Sequence, residues 1–243
     1  MTSTSKRLNK YISDTGYCSR READKLIDAG KVLVNGQLPQ LGTKITPSDT
    51  VSIQGKVISA VAADKSDRVY VLYHKPVGIT CTTERHIKGN IIDAIGHKTR
   101  IFPVGRLDKP SEGLIILTSD GDIVNKILRA ENAHDKLYRV TVDKPITSKF
   151  IQIMSGGVPI LDTVTKPCKV KQIGKFSFDI TLTQGLNRQI RRMCEYCGYD
   201  VKRLVRTRIM HLTLAKLPVG QWRNLTNEEL TTLQQAVSTS IKN

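Results

Sequence analysis

Between Ser59 and Asp67 the chain reads Ser-Ala-Val-Ala-Ala-Asp-Lys-Ser-Asp, a run of small and charged residues without apolar periodicity. Such a run offers no apolar face for a helix or strand to bury, so it reads as a linker, placed over 61–68. It divides the 243 residues into a small unit, 1–60, and a larger one, 69–243, each of which must build its own core.

The small unit carries two helix signals. Leu8, Tyr11 and Ile12 recur at helical spacing, with Gly16 where a helix would stop. Ser19 followed by Glu22 is a capping-box pattern ahead of the apolar Ala23, Leu26 and Ile27, and Gly30 supplies the end. Val32–Val34 reads as a short strand entering the Asn35-Gly36 turn, and Thr50–Ile53 as another. Around these elements cluster Arg7, Lys10, Arg20, Arg21 and Lys31, in outline a phosphate-binding face, though a solvated helix surface has the same composition.

Charge extends that argument to the whole chain. Lys and Arg number 38 against 22 Asp and Glu, a formal +16 with no acidic block to offset it, so a polyanionic partner is expected and nucleic acid comes first. No apolar run approaches a spanning length and no amphipathic segment is rich in aromatics, which argues against a membrane. Met1 to Lys6 is polar with no apolar stretch behind it, so a secretory signal is not expected and the cytoplasm is. The five cysteines are irregularly spaced, which suits reduced thiols; Cys194 and Cys197 form a C-x-x-C without a second pair or nearby His for zinc. Neither a metal nor a cofactor is expected, and a monomer is the default.

Strand signals dominate the larger unit: Val69–Tyr73, Ile101–Val104, Leu114–Leu117, Leu137–Val142, Phe176–Leu182 and Met210–Leu214. Helices are expected at Asp122–Leu128, capped by Ser119, and at Arg188–Tyr196, stopped by Gly198. The irregular order predicts an α+β domain with a mostly antiparallel mixed sheet flanked by helices and loops.

The chemistry centres on G-R-L-D-K-P-S-E-G-L-I-I-L-T-S-D-G, Gly105 to Gly121. Asp108 lies in a loop between two apolar strands with Arg106 and Lys109 beside it, a setting that favours an ionised carboxylate able to act as nucleophile or base. A turn aspartate or a surface ion pair would look the same by spacing alone. From Gln184 to Lys216, Arg188, Arg191, Arg192, Lys202, Arg203, Arg206, Arg208 and Lys216 stand against only Glu195 and Asp200, which predicts a positive groove.

Two resemblances follow from these residues. R-L-N-K-Y-I-S…C-S-R-R-E-A-D-K-L-I-D-A-G-K-V-L-V-N-G, Arg7 to Gly36, resembles an S4-type RNA-binding domain. G-R-L-D-x-x-S-x-G-L resembles the signature loop of pseudouridine synthases of the small-subunit and RluB/RluE/RluF type, joined in order by K-P-x-G at Lys75, K-x-Y-x-V at Lys136 and G-L-N-R-Q-I-R-R-M at Gly185. That resemblance implies isomerisation of uridine in structured RNA without a cofactor. It makes Asp108 the catalytic residue, Tyr138 the surface that stacks on the uracil, and Arg191 the partner that orients Asp108. Arg106, Lys75, Arg188, Arg192 and Leu204 are implied around the substrate, Leu204 beneath the base. The target base must leave its stack to reach a pocket, with phosphate contacts holding the RNA meanwhile.

Within the family, N-K-I-L-R-A-x-N-x-H at Asn125, T-V-D-K-P-I-T at Thr141 and R-T-R-I-M at Arg206 resemble the RluF branch. That branch implies a uridine in large-subunit (23S) ribosomal RNA and, as a second substrate, a tyrosine transfer RNA; its basic C-terminal extension has no counterpart in these residues. Two other readings stay in view. A non-enzymatic S4-type RNA-binding or ribosome assembly factor would account for the charge but not for the Asp108 loop. A glycoside hydrolase could pair Asp108 with Glu112, although four residues of separation is close for a pair that spans a sugar. An RNA methyltransferase would require a Gly-rich nucleotide loop after a strand, which is not seen.

Overall fold

The computed structural model describes residues 5–58, 68–84, 86–129 and 132–238. They belong to two compact units, Met1–Arg68 and Val69–Asn243. The expected linker at 61–68 lies outside the described residues except for Arg68.

In the first unit β1 (Lys6–Arg7) leads into α1 (Leu8–Asp14), and α2 (Arg20–Asp28) follows. The capping box forms as the sequence predicts: Ser19 Oγ accepts from the Glu22 amide and the Glu22 carboxylate accepts from the Ser19 amide. Then come β2 (Val32–Val34), β3 (Lys44–Ile45), β4 (Val51–Ile53) and β5 (Lys56–Ile58). Strands β2, β4 and β5 make an antiparallel three-stranded sheet, while β1 pairs with β3. Leu8 and Ile12 from α1, Ala23 and Ile27 from α2, and Val32, Val51 and Ile53 from the sheet close one small core.

The second unit opens with β6 (Tyr70–Lys75), α3 (Ile91–Ile95), β7 (Phe102–Val104), β8 (Glu112–Thr118) and α4 (Gly121–Leu128). It continues through β9 (Lys136–Val142), α5 (Ser148–Gly156), β10 (Pro159–Ile160), β11 (Thr163–Val164), β12 (Lys169–Gly174) and β13 (Ser177–Leu182). Last come α6 (Gln189–Tyr196), β14 (Val201–Ile209), β15 (Leu212–Thr213), β16 (Trp222–Asn224) and α7 (Asn227–Ala236). The main sheet has the order β12-β13-β9-β14-β8-β6-β16, with β15 on β14 and β7 on β8. Every neighbour pair is antiparallel except β14 with β8. The fold class is therefore the expected α+β, with a mixed and mostly antiparallel sheet.

Three apolar clusters hold this unit. Helices α5 and α6 cover β9, β13 and β14 through Phe150, Met154, Ile190 and Met193 against Val140, Phe178 and Ile180. Helices α4 and α7 cover one face of β6 and β8 through Ile123, Ile127, Leu233 and Val237. The opposite face of those two strands meets α3 and the Leu107 segment. That is why β6 and β8 are buried along their whole length, and why Leu114–Leu117 reads as an unbroken apolar run.

Some local expectations need correction. The cap of α4 is Asp120, whose carboxylate accepts from the Asp122 amide, whereas Ser119 Oγ accepts from the Val69 amide. Met210–Leu214 is not a single strand: Met210 turns at φ 52° and the chain folds back, pairing β15 with the end of β14. The V-K-R-L-V-R-T-R-I-M segment, outside the main strand signals but plausible as a core strand around Leu204, forms the nine-residue β14.

Gly113 is where the two halves of the sheet join. It pairs in parallel with Arg206 at φ 124°, and a Cβ there would lie 2.4 Å from both the amide nitrogen and the carbonyl oxygen of Arg206. Only glycine permits this approach. Gly113→Ala should cost about 3 kcal/mol or more, from overpacking added to backbone strain. Urea unfolding followed by circular dichroism checks this, and a loss below about 1 kcal/mol would mean the strands can part without cost.

Candidate active site

A cavity of about 550 Å³ opens where β14 meets β8. It is walled by the Gly105–Lys109 loop, by Tyr138 on β9, by the Gln184–Arg188 turn and by the start of α6. The volume falls within the ~300–1,000 Å³ usual for small-molecule sites.

Asp108 is half-buried on this wall, and its carboxylate accepts no hydrogen bond among the described residues. Its backbone is fixed instead, since the Asp108 carbonyl accepts from the Ser111 amide at 2.9 Å. Tyr138 packs between the cluster under α5 and α6 and the cluster beside α3, at the seam of two cores. Leu204 is buried on the neighbouring strand and completes an apolar patch beside that ring. Arg106 and Arg188 also line the cavity, both exposed. Arg188 sits at φ 50° as the residue before α6, a left-handed conformation costly for a side-chain-bearing residue and frequent at functional sites.

Arg191 takes a different role from direct pairing with Asp108. Its Nη2 donates to the Pro110 carbonyl at 3.0 Å and its Nη1 to the Val201 carbonyl at 3.2 Å, with Ser111 Oγ at 3.4 Å. The guanidinium thus straps the Asp108 loop to the start of β14. Burial and the neighbouring Arg188 charge lower its pKa, and the Asp108 charge opposes that shift.

Lys75 and Arg192 are corrections of another kind. Lys75 is fully buried beneath the wall, and its Nζ donates to the carbonyls of Pro76 and Ser111, each at 2.8 Å, so it holds the loop and does not line the cavity. Burial lowers its pKa. Arg192 folds back on its own turn, donating to the carbonyl and side-chain oxygens of Asn187. Glu112, the second carboxylate of the hydrolase alternative, accepts from Arg203 at 2.9 Å and faces His74 Nε2 at 3.3 Å, away from the cavity lining. With Arg208 paired to Asp135 and Arg206 buried, the expected positive groove is thinner than the count of cations implied.

Sequence reasoning missed the lining cation Lys136 and the thiol of Cys81, and it counted Arg206 only as one of the groove cations, not as a buried residue of the cavity lining. The Lys136 signal was present in the K-x-Y spacing, since alternation on a strand places residues 136 and 138 on one face. Burial raises the Cys81 thiol, as it does those of Cys194 and Cys197, which disfavours the thiolate that metal or redox chemistry needs. Among the described residues no group of three or more His, Cys, Asp and Glu could hold a metal ion, and no helix is long and apolar enough to cross a membrane.

Residues 69–196, which supply most of this wall, match the family model described as RNA pseudouridylate synthase, and residues 6–51 match the S4 domain model. The chain belongs to the RNA pseudouridine synthase family. The dual-specificity RNA pseudouridine synthase RluF of Salmonella typhi is 56% identical over 240 residues, covering 99% of this chain and 82% of the relative. The Escherichia coli K12 protein of the same name is 56% identical over 237 residues, with 98% and 81% coverage. Ribosomal large subunit pseudouridine synthase B of Bacillus subtilis is 33% identical over 238 residues, with 94% and 95% coverage. A crystal structure of a pseudouridylate synthase superposes with a TM-score of 0.69 at 25% identity, covering 93% of this chain and 99% of that one. The larger unit is thus a pseudouridine synthase domain, and the protein is an isomerase that carries an S4 domain.

The Arg191 strap gives a direct test. Arg191→Lys keeps the charge but cannot reach Val201 and Pro110 together, because an ammonium lacks the planar fork. Isomerisation should slow about 10- to 100-fold while RNA affinity stays within about threefold, as loss of positioning implies. Single-turnover rates and filter binding check this; an unchanged rate would show that the strap does not set the loop.

Proposed function

We propose that the protein converts a uridine of large-subunit ribosomal RNA to pseudouridine, with a tyrosine transfer RNA as a second substrate, and that Asp108 is its catalytic residue. The observation that carries the reading is the Asp108 carboxylate, which accepts no hydrogen bond among the described residues, on the wall of a cavity large enough for a nucleoside. A carboxylate held by its backbone and not by its side chain is free to meet the ribose. A relative named for the ribosomal large subunit supports the first substrate and two named dual-specificity support a second, whose choice as a tyrosine transfer RNA rests on the motif resemblance to the RluF branch.

Isomerisation parts the base from the sugar at C1′–N1, turns it, and rejoins it through C5, with no net change in composition. The reaction asks for a carboxylate by the sugar, a surface for the freed base and walls against water. Asp108 is the first, Tyr138 and Leu204 the second, and the Gln184–Arg188 turn with Arg106 closes the wall. Arg191 and Lys75 act as positioning residues through the backbone of the loop. The enzyme's place of work is then the cytoplasm, as the polar start of the sequence and a ribosomal RNA substrate both favour.

The S4 domain supplies grip. Arg7, Arg20, Arg21 and Lys31 are exposed, and Lys10 lies half-buried on α1. Arg20 and Arg21 occupy the first turn of α2 beside the Glu22 carboxylate of the capping box, and both are exposed, so their charge is open to the phosphates of RNA.

Two measurements bear on this. Carbodiimide-blocked reverse transcription of total RNA should give one stop in large-subunit ribosomal RNA and one in tyrosine transfer RNA, both absent without the gene and with Asp108→Asn. A persistent stop with Asp108→Asn would remove that residue from the chemistry. Replacing Arg20 and Arg21 together by Ala should weaken RNA binding and make the slope of log affinity against log salt shallower by about 1–2. An unchanged slope would leave α2 as scaffold only.

A further inference from the structure

The cavity floor holds more positive charge than its own anions match. Lys136 is 7% exposed and Arg206 4% exposed, both line the cavity, and fully buried Lys75 lies close enough to feel the Arg206 charge. The nearby carboxylates are engaged elsewhere: Glu112 with Arg203 and His74, Asp135 with Arg208. Donors are in surplus as well. Arg206 Nε donates to the Leu114 carbonyl at 2.7 Å, but its buried Nη2 has no acceptor among the described residues. Lys136 Nζ has one acceptor, the His134 carbonyl at 2.9 Å, for three protons. Buried donors without protein acceptors are costly, and each calls for a partner that a ligand, an ion or water can supply.

The register says which ligand atoms can do so. Arg206 lies directly across from Tyr138 on the neighbouring strand, and Lys136 lies two residues before Tyr138 on the same face. A ring stacked on Tyr138 would present its edge to these two cations. Breaking C1′–N1 leaves the bonding pair on N1, and the charge spreads to the adjoining carbonyl oxygens. C1′ completes its valence with an Asp108 oxygen, or the ribose yields a proton to Asp108. On rejoining, C5 attacks C1′ as the Asp108 oxygen leaves it, or as Asp108 returns its proton to the ribose; C5 then gives up its proton to solvent and N1 takes one up, so Asp108 ends as it began.

We propose that Lys136, backed by Arg206, is an anion-accepting floor that hydrogen-bonds a carbonyl oxygen of the extruded uracil and stabilises the charge it carries while detached from the sugar. This rests on the reading of the Asp108 cavity as the reaction site. Burial, and after it Arg206 from β14, lower the Lys136 pKa to about 8, the adjoining Asp135 acts in the opposite sense, and His134, whose carbonyl accepts from Lys136 Nζ, also feels its charge. The charged form does the work, so the rate falls as pH rises through about 8.

The test follows release of C5 tritium from unmodified large-subunit ribosomal RNA at single turnover, with RNA affinity and melting temperature measured alongside. Lys136→Met should slow release about 100-fold or more, the cost of losing one preorganised donor, at affinity within about threefold. Lys136→Arg should retain most of the rate and lose the decline above pH 8, because a guanidinium stays charged. A Lys136→Met rate within about threefold of the parent, or a Lys136→Arg profile that keeps the decline, overturns the proposal. If Lys136→Met does not fold, the Lys136→Arg profile alone decides in the same sense. Asp108→Asn in the same assay separates the two readings. Should it retain the full rate, the cavity is not the reaction site and this proposal falls with it; if it is inactive while Lys136→Met is unimpaired, this proposal falls alone.

Discussion

The close approach of Gly113 to Arg206 sets the geometry on which the second unit depends. It is the one parallel contact between neighbours in a sheet otherwise antiparallel, and it joins β12-β13-β9-β14 to β8-β6-β16. Because β8 begins at Glu112, the loop carrying Asp108 must emerge at this join, and because β9 flanks β14 on the other side, Tyr138 must face it. Glycine's lack of a Cβ thereby decides where a carboxylate and an aromatic ring meet.

Around that join, charged side chains serve as braces for main-chain carbonyls. Lys75 reaches Pro76 and Ser111, Arg191 reaches Pro110 and Val201, and Arg206 reaches Leu114. Lys75 and Arg191 thus hold the loop by its backbone while Arg206 holds β8 beyond it, and the Asp108 carboxylate accepts no hydrogen bond from any of them. A loop fixed only by apolar contact would be free to slide; one held by charge-assisted hydrogen bonds at several carbonyls has a single address. The hydrogen bonds that the buried cations Lys75, Lys136 and Arg206 do make end on peptide oxygens.

Much of this was legible in the sequence, where the signal is local. The Ser19 and Glu22 capping box, the apolar run of β8, the Gly-bounded Asp108 loop and the Arg188–Tyr196 helix all follow from short-range chemistry. The equivalent box at Thr226 and Glu229, which starts α7, was there to be read and was passed over. What the residues do not encode is which acceptor a long cation finds. Lys75 and Arg192 read as substrate contacts by position in a motif, and Val201–Ile209 reads as a basic groove. In the folded chain Arg203 meets Glu112 and Arg208 meets Asp135, acceptors brought from far along the sequence. Carbonyl oxygens are alike at every residue, so their use as partners emerges only with the tertiary fold.

The join at Gly113 also bears on how the enzyme comes into being. Several strand pairs on either side, such as β12 with β13 and β7 with β8, close short loops and can form early, whereas the contact of Glu112 with Val205 closes a loop of most of the domain. Neither half of the sheet alone holds both walls of the cavity. A nascent chain can therefore possess nearly all its secondary structure, and even its RNA-binding S4 domain, while having no chemistry at all. Catalytic competence thus requires this join, and a chain in which it is still open has no complete pocket in which to break a glycosidic bond it could not then remake.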